Sequence, residues 1–406
     1  MKTAKLGLER MQALLAALGN PERNYRVVHV AGTNGKGSTC AMIDAGLRTA
    51  NVRTGLFTSP HLIEPTERIQ IDGIPVSQAQ FARAFDVVHQ SALSLASDDH
   101  PSYFETVTAM AFWLFREQEV ETAVVEVGLG GRLDATNVVR PTLTVITSID
   151  LDHQAWLGDT IEQIAGEKAG ILKPGVPAVF AKQRADVQVV LDARARDLGI
   201  SVIRAADSLI KDVTTGDRSS RFVLDGHGEI VCPLAGDHQI DNAVTAALAL
   251  KQLGVSSSGI ATAFWPGRLE HISPNPDVIL DGAHNPAGAA ALARYLSQHY
   301  PDRKLWLVFG AMRDKAVADL GGILFPLASQ IVFTAPALAR ARRPAELAEQ
   351  WGRGRTADNV VEALRLIAAE VSSEDVIIIT GSLYLVGEAR AASYNRKTWP
   401  FSGAWA

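Results

Sequence analysis

The stretch Val27-Val28-His29-Val30-Ala31-Gly32-Thr33-Asn34-Gly35-Lys36-Gly37-Ser38-Thr39 decides the fold. A β-branched run enters a loop carrying Gly32, Gly35, Gly37, one lysine and several hydroxyls, and Met42, Ile43 and Leu47 follow at helical spacing. The order reads strand, phosphate-cradling loop, helix. Glycine lets the backbone approach an anion closely, and a helix start offers it unpaired N–H groups. Lys36 is placed to meet the outer phosphates. The general P-loop pattern has a glycine where Val30 stands and a hydroxyl where Gly37 stands, so this is a shortened variant. The hydroxyl role stays open among Ser38, Thr39 and others. An ordinary tight turn between strand and helix would not need Gly-Lys-Gly-Ser-Thr.

The chain has 406 residues, enough for two or three domains. Its 47% hydrophobic and 20% charged residues are those of a globular protein with a large core. A net charge of −5 gives no basic excess, so a nucleic-acid partner is not expected. Cys40 and Cys232 offer neither zinc spacing nor a disulfide framework, as in a reducing compartment. The N-terminus lacks the apolar core of a signal peptide, and no apolar run reaches the ~20 residues that span a bilayer. The expected location is the cytoplasm, with no membrane partner.

Working outward, residues 6–18 have helical spacing and stop at Gly19-Asn20-Pro21. Residues 52–57 read as a strand running into Thr58-Ser59-Pro60-His61-Leu62, and 68–74 as a hairpin turning at Asp72-Gly73. Residues 77–95 read as a helix with Ser77 as N-cap, and 103–117 as a buried helix. Strand 123–127 empties into Gly128-Leu129-Gly130-Gly131-Arg132, and strand 143–147 into Ser148-Ile149-Asp150-Leu151-Asp152-His153. Helix 160–171 and strand 176–180 follow. Alternating strands and helices predict an α/β fold, a doubly wound and mainly parallel sheet of the P-loop ATPase kind. Such sheets bind ligands beyond the carboxyl ends of their strands, where these unusual segments gather. Residues 221–233 read as two short antiparallel strands, and 236–253 as a helix. Ser273-Pro274-Asn275-Pro276 is the best candidate linker, giving domains 1–273 and 274–406. The second is expected to be a smaller Rossmann-like domain, with strands at 278–280, 305–309, 331–333 and 376–379.

Glu126 closes an apolar strand, where a carboxylate is costly to bury without a cationic partner. His153 follows a neighbouring strand end. Oxygen-rich ligation by few protein groups and phosphates suits Mg²⁺. Two unit charges 4 Å apart repel by about 4 kcal/mol at an effective dielectric near 20. A triphosphate meeting a carboxylate sums several such terms, more than one lysine offsets, so Mg²⁺ is expected. Lys168 lies one helix downstream of His153, with a solvated helix lysine as the plain alternative. Strand 278–280 empties into Asp281-Gly282-Ala283-His284-Asn285-Pro286, a second strand–loop–helix edge with proline suited to the first helical position. Arg340, Arg342 and Arg343 form a basic cluster, read as a solvated loop rather than an anion site.

These residues together resemble the folylpolyglutamate synthase and dihydrofolate synthase family of the Mur ligase superfamily. The matching stretches, in family order, are Gly32 to Ser38, Thr58 to Leu62, Tyr103-Phe104-Glu105, Glu126 to Asn137, Asp152-His153 with Glu167 to Ile171, Asp237 to Ala243, Pro266 to Glu270 and Asp281 to Pro286. The resemblance implies an ATP-dependent ligase. It adds L-glutamate to dihydropteroate, to reduced folates, or to both, through an acyl phosphate. It implies that Asn34, Gly35, Lys36, Gly37 and Ser38 hold the ATP phosphates. Asn242, Arg268, Asp281 and His284 match nucleotide contacts. Ser59, Glu126, His153 and Lys168 look like ligands of two Mg²⁺ ions, with K⁺ a further candidate and Lys168 the carbamylated lysine. Lys36, Lys168, His153 and Glu126 are the implied catalytic set. Ser102, Tyr103 and Phe104, with Leu133, Asp134 and Ala135, fall where the pteroate side binds. The family's glycine-rich loop often carries Arg-Asp or Arg-Phe-Asp; here it is Arg132-Leu133-Asp134. The resemblance also implies a monomer. A ligase of another Mur branch, acting on a cell-wall precursor, would bring an additional N-terminal substrate domain. None is expected here, with 26 residues ahead of Val27. A P-loop ATPase acting as a switch would explain the first loop but not Glu126 with His153 or the 281–286 segment.

Overall fold

A computed structural model of the chain describes residues 7–95, 100–313, 317–395 and 397–401, and the statements below concern those. Leu6, the first residue of the expected 6–18 helix, lies outside them. Eight strands form the first sheet: β1 (Arg26–Ala31), β2 (Thr54–Phe57), β3 (Ile69–Ile71), β4 (Ile74–Pro75), β5 (Thr122–Glu126), β6 (Leu143–Ile146), β7 (Ala178–Phe180) and β8 (Val202–Arg204). Their order is β4-β3-β2-β5-β1-β6-β7-β8. All neighbours from β2 to β8 pair in parallel, and the β3–β4 hairpin adds an antiparallel edge. The phosphate-loop strand β1 is therefore central and buried from Val27 to Ala31, with His29 the one polar side chain among its buried residues.

Alternation along β1 assigns the two faces. Val28 and Val30 pack into a core with the helices Lys36–Thr49 and His238–Gln252. Val27 points the other way, into a core with the helices Glu9–Ala17, Gln78–Leu93 and Tyr103–Glu117. The last of these begins where the sequence places it. Ser102 caps it, accepting from the Glu105 N–H at 3.3 Å, while the Glu105 carboxylate accepts from the Ser102 N–H at 2.7 Å.

A small antiparallel sheet, β9 (Ile210–Thr215), β10 (Ser220–Leu224) and β11 (Gly228–Cys232), lies over the first core, giving it Phe222, Leu224 and Ile230. The expected two strands are thus three, because β9 carries mostly exposed side chains and shows no apolar alternation. Strand β8 and the helix Ala185–Leu198 also go beyond the sequence reading.

The second lobe holds β12 (Glu270–Pro274), β13 (Asp277–Leu280), β14 (Leu305–Phe309), β15 (Gln330–Phe333), β16 (Arg355–Thr356) and β17 (Val376–Thr380). They are ordered β12-β13-β17-β14-β15-β16, parallel apart from the β12–β13 hairpin. The candidate linker around Ser273 to Pro276 is corrected here. It is the end and turn of that hairpin, with a cis peptide before Pro276. Proline is tolerated there because β12 is an edge strand.

Candidate functional site

The two lobes enclose a cleft of about 1240 Å³. It lies beyond the carboxyl ends of β1, β2, β5, β6 and β13. Of the residues singled out in the sequence, Asn34, Gly35, Lys36, Gly37, Ser38, Ser59, Ser102, Phe104, Glu126, Leu133, Asp134, Ala135, His153, Lys168, Asn242, Arg268, Asp281 and His284 all line it. Tyr103 is the exception: it is 60% exposed and stacks under Arg68, whose guanidinium carbon lies 5.6 Å from the ring centre. Of the basic cluster, Arg340 reaches the cleft, donating to the Tyr384 hydroxyl at 3.2 Å.

The loop 32–38 is fixed from both sides. Gly35 begins the helix with φ +83°, and a side chain there would strike Asn242. A Cβ on Gly37 would lie 2.6 Å from the Trp265 ring. Both positions thus need glycine for space, and Gly35 also for its left-handed conformation. Gln239 donates to the Ser38 hydroxyl at 3.3 Å and accepts from the Asn242 amide at 2.9 Å, so the distant helix His238–Gln252 supports the loop.

Two ammonium groups converge on the Gly32 carbonyl, Lys168 at 2.7 Å and Lys36 at 3.1 Å; Lys36 also donates to the Thr33 carbonyl at 3.0 Å. Lys168 is buried rather than solvated. Burial first, and the Lys36 charge second, push its ammonium down to about 7. Glu126 is also buried, and that raises its carboxyl. Lys36, the Ser59 N–H, Arg268 and Arg68 act in the opposite direction. The Ser59 N–H lies 2.9 Å from Glu126 Oε2. His153 sits at φ +54° ahead of a short helix, its N–H donating to Asp152 at 2.8 Å.

The second lobe reaches across to these groups. Asn285 caps the helix Pro286–His299 by accepting from the Gly288 N–H at 2.8 Å. Its amide nitrogen donates to Asn34 at 3.0 Å and to Asp152 at 3.2 Å. His284 Nε2 lies 3.6 Å from Asp152. Asp281 is buried and raised by it. Its oxygens accept from the Leu269 N–H at 3.0 Å and the Ala283 N–H at 2.9 Å, beside Arg268, which burial lowers. Sequence reasoning did not single out Asn285, Gln239 or Trp265, nor Arg10, which pairs with Glu105 at 3.2 Å and lines the cleft. Asn285 lay within a motif already quoted, and its place at the start of a helix was the available signal.

Among the described residues, no group of three or more His, Cys, Asp or Glu side chains forms a metal cluster. Ser59, Glu126 and His153 nevertheless line one cleft with Lys168, a hydroxyl, carboxylate and imidazole set that fits a hard cation completing its shell with phosphate and water. No helix among the described residues is long and apolar enough to cross a membrane.

Residues 30–250 match the family model of the Mur ligase middle domain, and residues 267–383 that of the Mur ligase glutamate ligase domain. The chain is 37% identical over 406 residues to a dihydrofolate synthase/folylpolyglutamate synthase of Bacillus subtilis, covering 95% of this chain and 94% of that one. It is 35% identical to the Escherichia coli protein of the same name, covering 95% and 90%. The folylpolyglutamate synthase of Mycobacterium tuberculosis, solved with ADP and AMPPCP, superposes with a TM-score of 0.89 at 37% identity and 95% coverage of both chains. Escherichia coli FolC, solved with DHPP and ADP, gives 0.87 at 33% identity, covering 98% of this chain and 95% of that one.

Proposed function

Because the chain belongs to the dihydrofolate synthase/folylpolyglutamate synthase family of Mur ligases, we propose that this cleft joins L-glutamate to a pterin-bearing acid. The enzyme is an ATP-dependent ligase. The acid's carboxylate takes the γ-phosphoryl group of ATP. The glutamate amine then attacks the acyl phosphate, the C–O bond to phosphate breaks, and inorganic phosphate leaves with the new amide formed. Dihydropteroate, reduced folates or both are the acids.

The observation that carries this reading is the convergence of both lobes on one cleft. A phosphate loop alone serves many ATPases, but Asn285 ties that loop to the second lobe and Lys168 lies against Gly32. A switch ATPase would need neither. The amides of 35–38 and Lys36 cradle the triphosphate, with Asn34, Asn242, Arg268, Asp281 and His284 around the rest of the nucleotide. Ser59, Glu126, His153 and Lys168 would hold Mg²⁺, at two sites, with K⁺ a further candidate. The metal would supply charge neutralisation during phosphoryl transfer. An amine that ionises near 7 is partly neutral at physiological pH. Neutral Lys168 can therefore add CO₂ and release a proton. The resulting carbamate is an anion where an ammonium would repel the metal. Phe104, Leu133, Asp134 and Ala135 wall the pteroate side, while Ser102 positions the helix that carries Phe104. We place the division between lobes ahead of Glu270, since β12 completes the second sheet. The reading carries with it a monomer in the cytoplasm.

The test is phosphate release by purified protein given MgATP, L-glutamate and either dihydropteroate or a reduced folate with one glutamate. Release dependent on L-glutamate and on at least one of the acids is expected. Release indifferent to both acids would overturn the reading.

A further inference from the structure

His29 sits in the middle of β1, fully buried. Its Nε2 lies 2.8 Å from the Thr136 hydroxyl. That hydroxyl lies 2.5 Å from Asp134 Oδ1. A hydroxyl has one proton, and an ionised carboxylate can only accept. Burial raises the Asp134 carboxyl, while the Thr136 hydroxyl and the Leu129 and Thr136 N–H groups act the other way; with Asp134 ionised, the Thr136 proton goes to it and the Thr136 oxygen accepts from His29. This fixes His29 as the Nε2–H tautomer and leaves Nδ1 a bare acceptor, for which the described residues provide no partner. Burial, with Lys173 as a lesser cause, pushes the imidazole down to about 3, so the ring is neutral.

The far end of the relay is the cleft wall. Asp134 Oδ1 also accepts from the Thr136 N–H at 3.0 Å, and Oδ2 from the Leu129 N–H at 2.8 Å. The carboxylate thus gathers the 128–135 loop around itself. Leu129, Leu133, Asp134 and Ala135 all face the cleft. A strand packed for its apolar run has no need of an imidazole with one unpaired nitrogen. Its use here is to donate a proton along a single line. Hydrogen bonds in such a chain polarise one another, so the Thr136–Asp134 bond is strengthened by the donor behind it.

We propose that His29 is a positioning residue for the acid substrate, acting through Thr136 to hold Asp134 and the 128–135 wall in place. The proposal rests on the functional reading above, which assigns that wall to the pteroate side.

The test compares His29→Leu, His29→Gln, Thr136→Val and the double variant His29→Leu with Thr136→Val. Glutamine keeps an N–H donor near the position of Nε2. Leucine and valine should each raise KM for the acid about tenfold while KM for ATP stays within about twofold, because the wall moves and the phosphate loop does not. The double variant should do no more harm than either single one, since both break one line. Glutamine should recover most of the loss. Nitrogen-15 NMR of the wild-type ring should show the neutral Nε2–H tautomer, and amide exchange of Leu129 should quicken in Thr136→Val. An unchanged KM for the acid in Thr136→Val, an equal rise in KM for ATP, additive losses or the Nδ1–H tautomer would each overturn the proposal. If His29→Leu does not fold, Thr136→Val and the tautomer decide. If wild-type protein turns over neither acid, the functional reading fails by itself, and Leu129 exchange with the tautomer still judges the relay.

Discussion

Lys36 and Lys168 share one acceptor, the Gly32 carbonyl, and their proximity governs what each can do. Lys36 lies in the loop proposed to cradle the triphosphate. Removing one preorganised charge of this kind costs roughly 3–4 kcal/mol of transition-state stabilisation. Lys36→Ala should therefore lower kcat by about 10²- to 10³-fold in steady-state assays, and wild-type turnover would refute its role. Lys168 is the titrating partner. It ionises near 7 when folded against an ordinary value of 10.5. Between those values the folded protein binds fewer protons than the unfolded chain, so stability should rise with pH across that window. In bicarbonate-free buffer, urea titrations from pH 7 to 10 should show the rise, and Lys168→Met should flatten it. Lys168→Ala should lose activity that high bicarbonate with a short-chain carboxylic acid partly restores, as a substitute for the carbamate; no rescue together with an unmodified wild-type lysine would count against the carbamate.

At the scale of an element, the helix Tyr103–Glu117 shows how a motif residue can serve by holding a helix. Ser102 and Glu105 cap each other's backbone, and Glu105 also pairs with Arg10 from the N-terminal helix. Ser102→Ala should cost about 1 kcal/mol by chemical denaturation, while Ser102→Thr keeps the cap. A large rise in KM for the acid with unchanged stability would instead make Ser102 a direct contact. This helix was legible in the sequence because its cap and its apolar run are both local. Strand β16 was not, since two residues carry no period, and β9 was not, since its side chains are mostly exposed. The Pro274-Asn275-Pro276 segment was misread because such residues mark a turn, and turn chemistry does not say whether a domain or a hairpin ends there.

Across the whole molecule, the site is completed by pairs that the chain holds far apart. Asn285 and Asn34 are 251 residues apart in sequence, Gln239 and Ser38 are 201, and Lys168 and Gly32 are 136. On the proposed reading, closure of the lobes would exclude water from the acyl phosphate, which otherwise hydrolyses. Asn285→Asp separates the two duties of that side chain. Aspartate still caps the helix, but it places a carboxylate oxygen where the amide faced Asp152 and Asn34. Turnover should fall by about tenfold or more, with the melting temperature nearly unchanged and a larger small-angle scattering radius with nucleotide bound. Wild-type turnover with an unaltered radius would show that the contact does not hold the lobes.

The sequence by itself determined the parallel sheet, the phosphate loop and the strand ends that bear Ser59, Glu126, His153 and Asp281. Each of these is written in a short run whose residue types have few other uses: glycines before a helix, or a carboxylate closing an apolar strand. Only the tertiary structure decided that Lys168 is buried against Gly32, that Asn285 bridges the lobes, that Tyr103 is exposed outside the cleft lining and that Thr136 lies between His29 and Asp134. Those facts depend on where separate segments meet and on how much water is left between them. Burial and distance set the proton affinity of a lysine or the tautomer of a histidine, and neither is a property of a residue's neighbours along the chain.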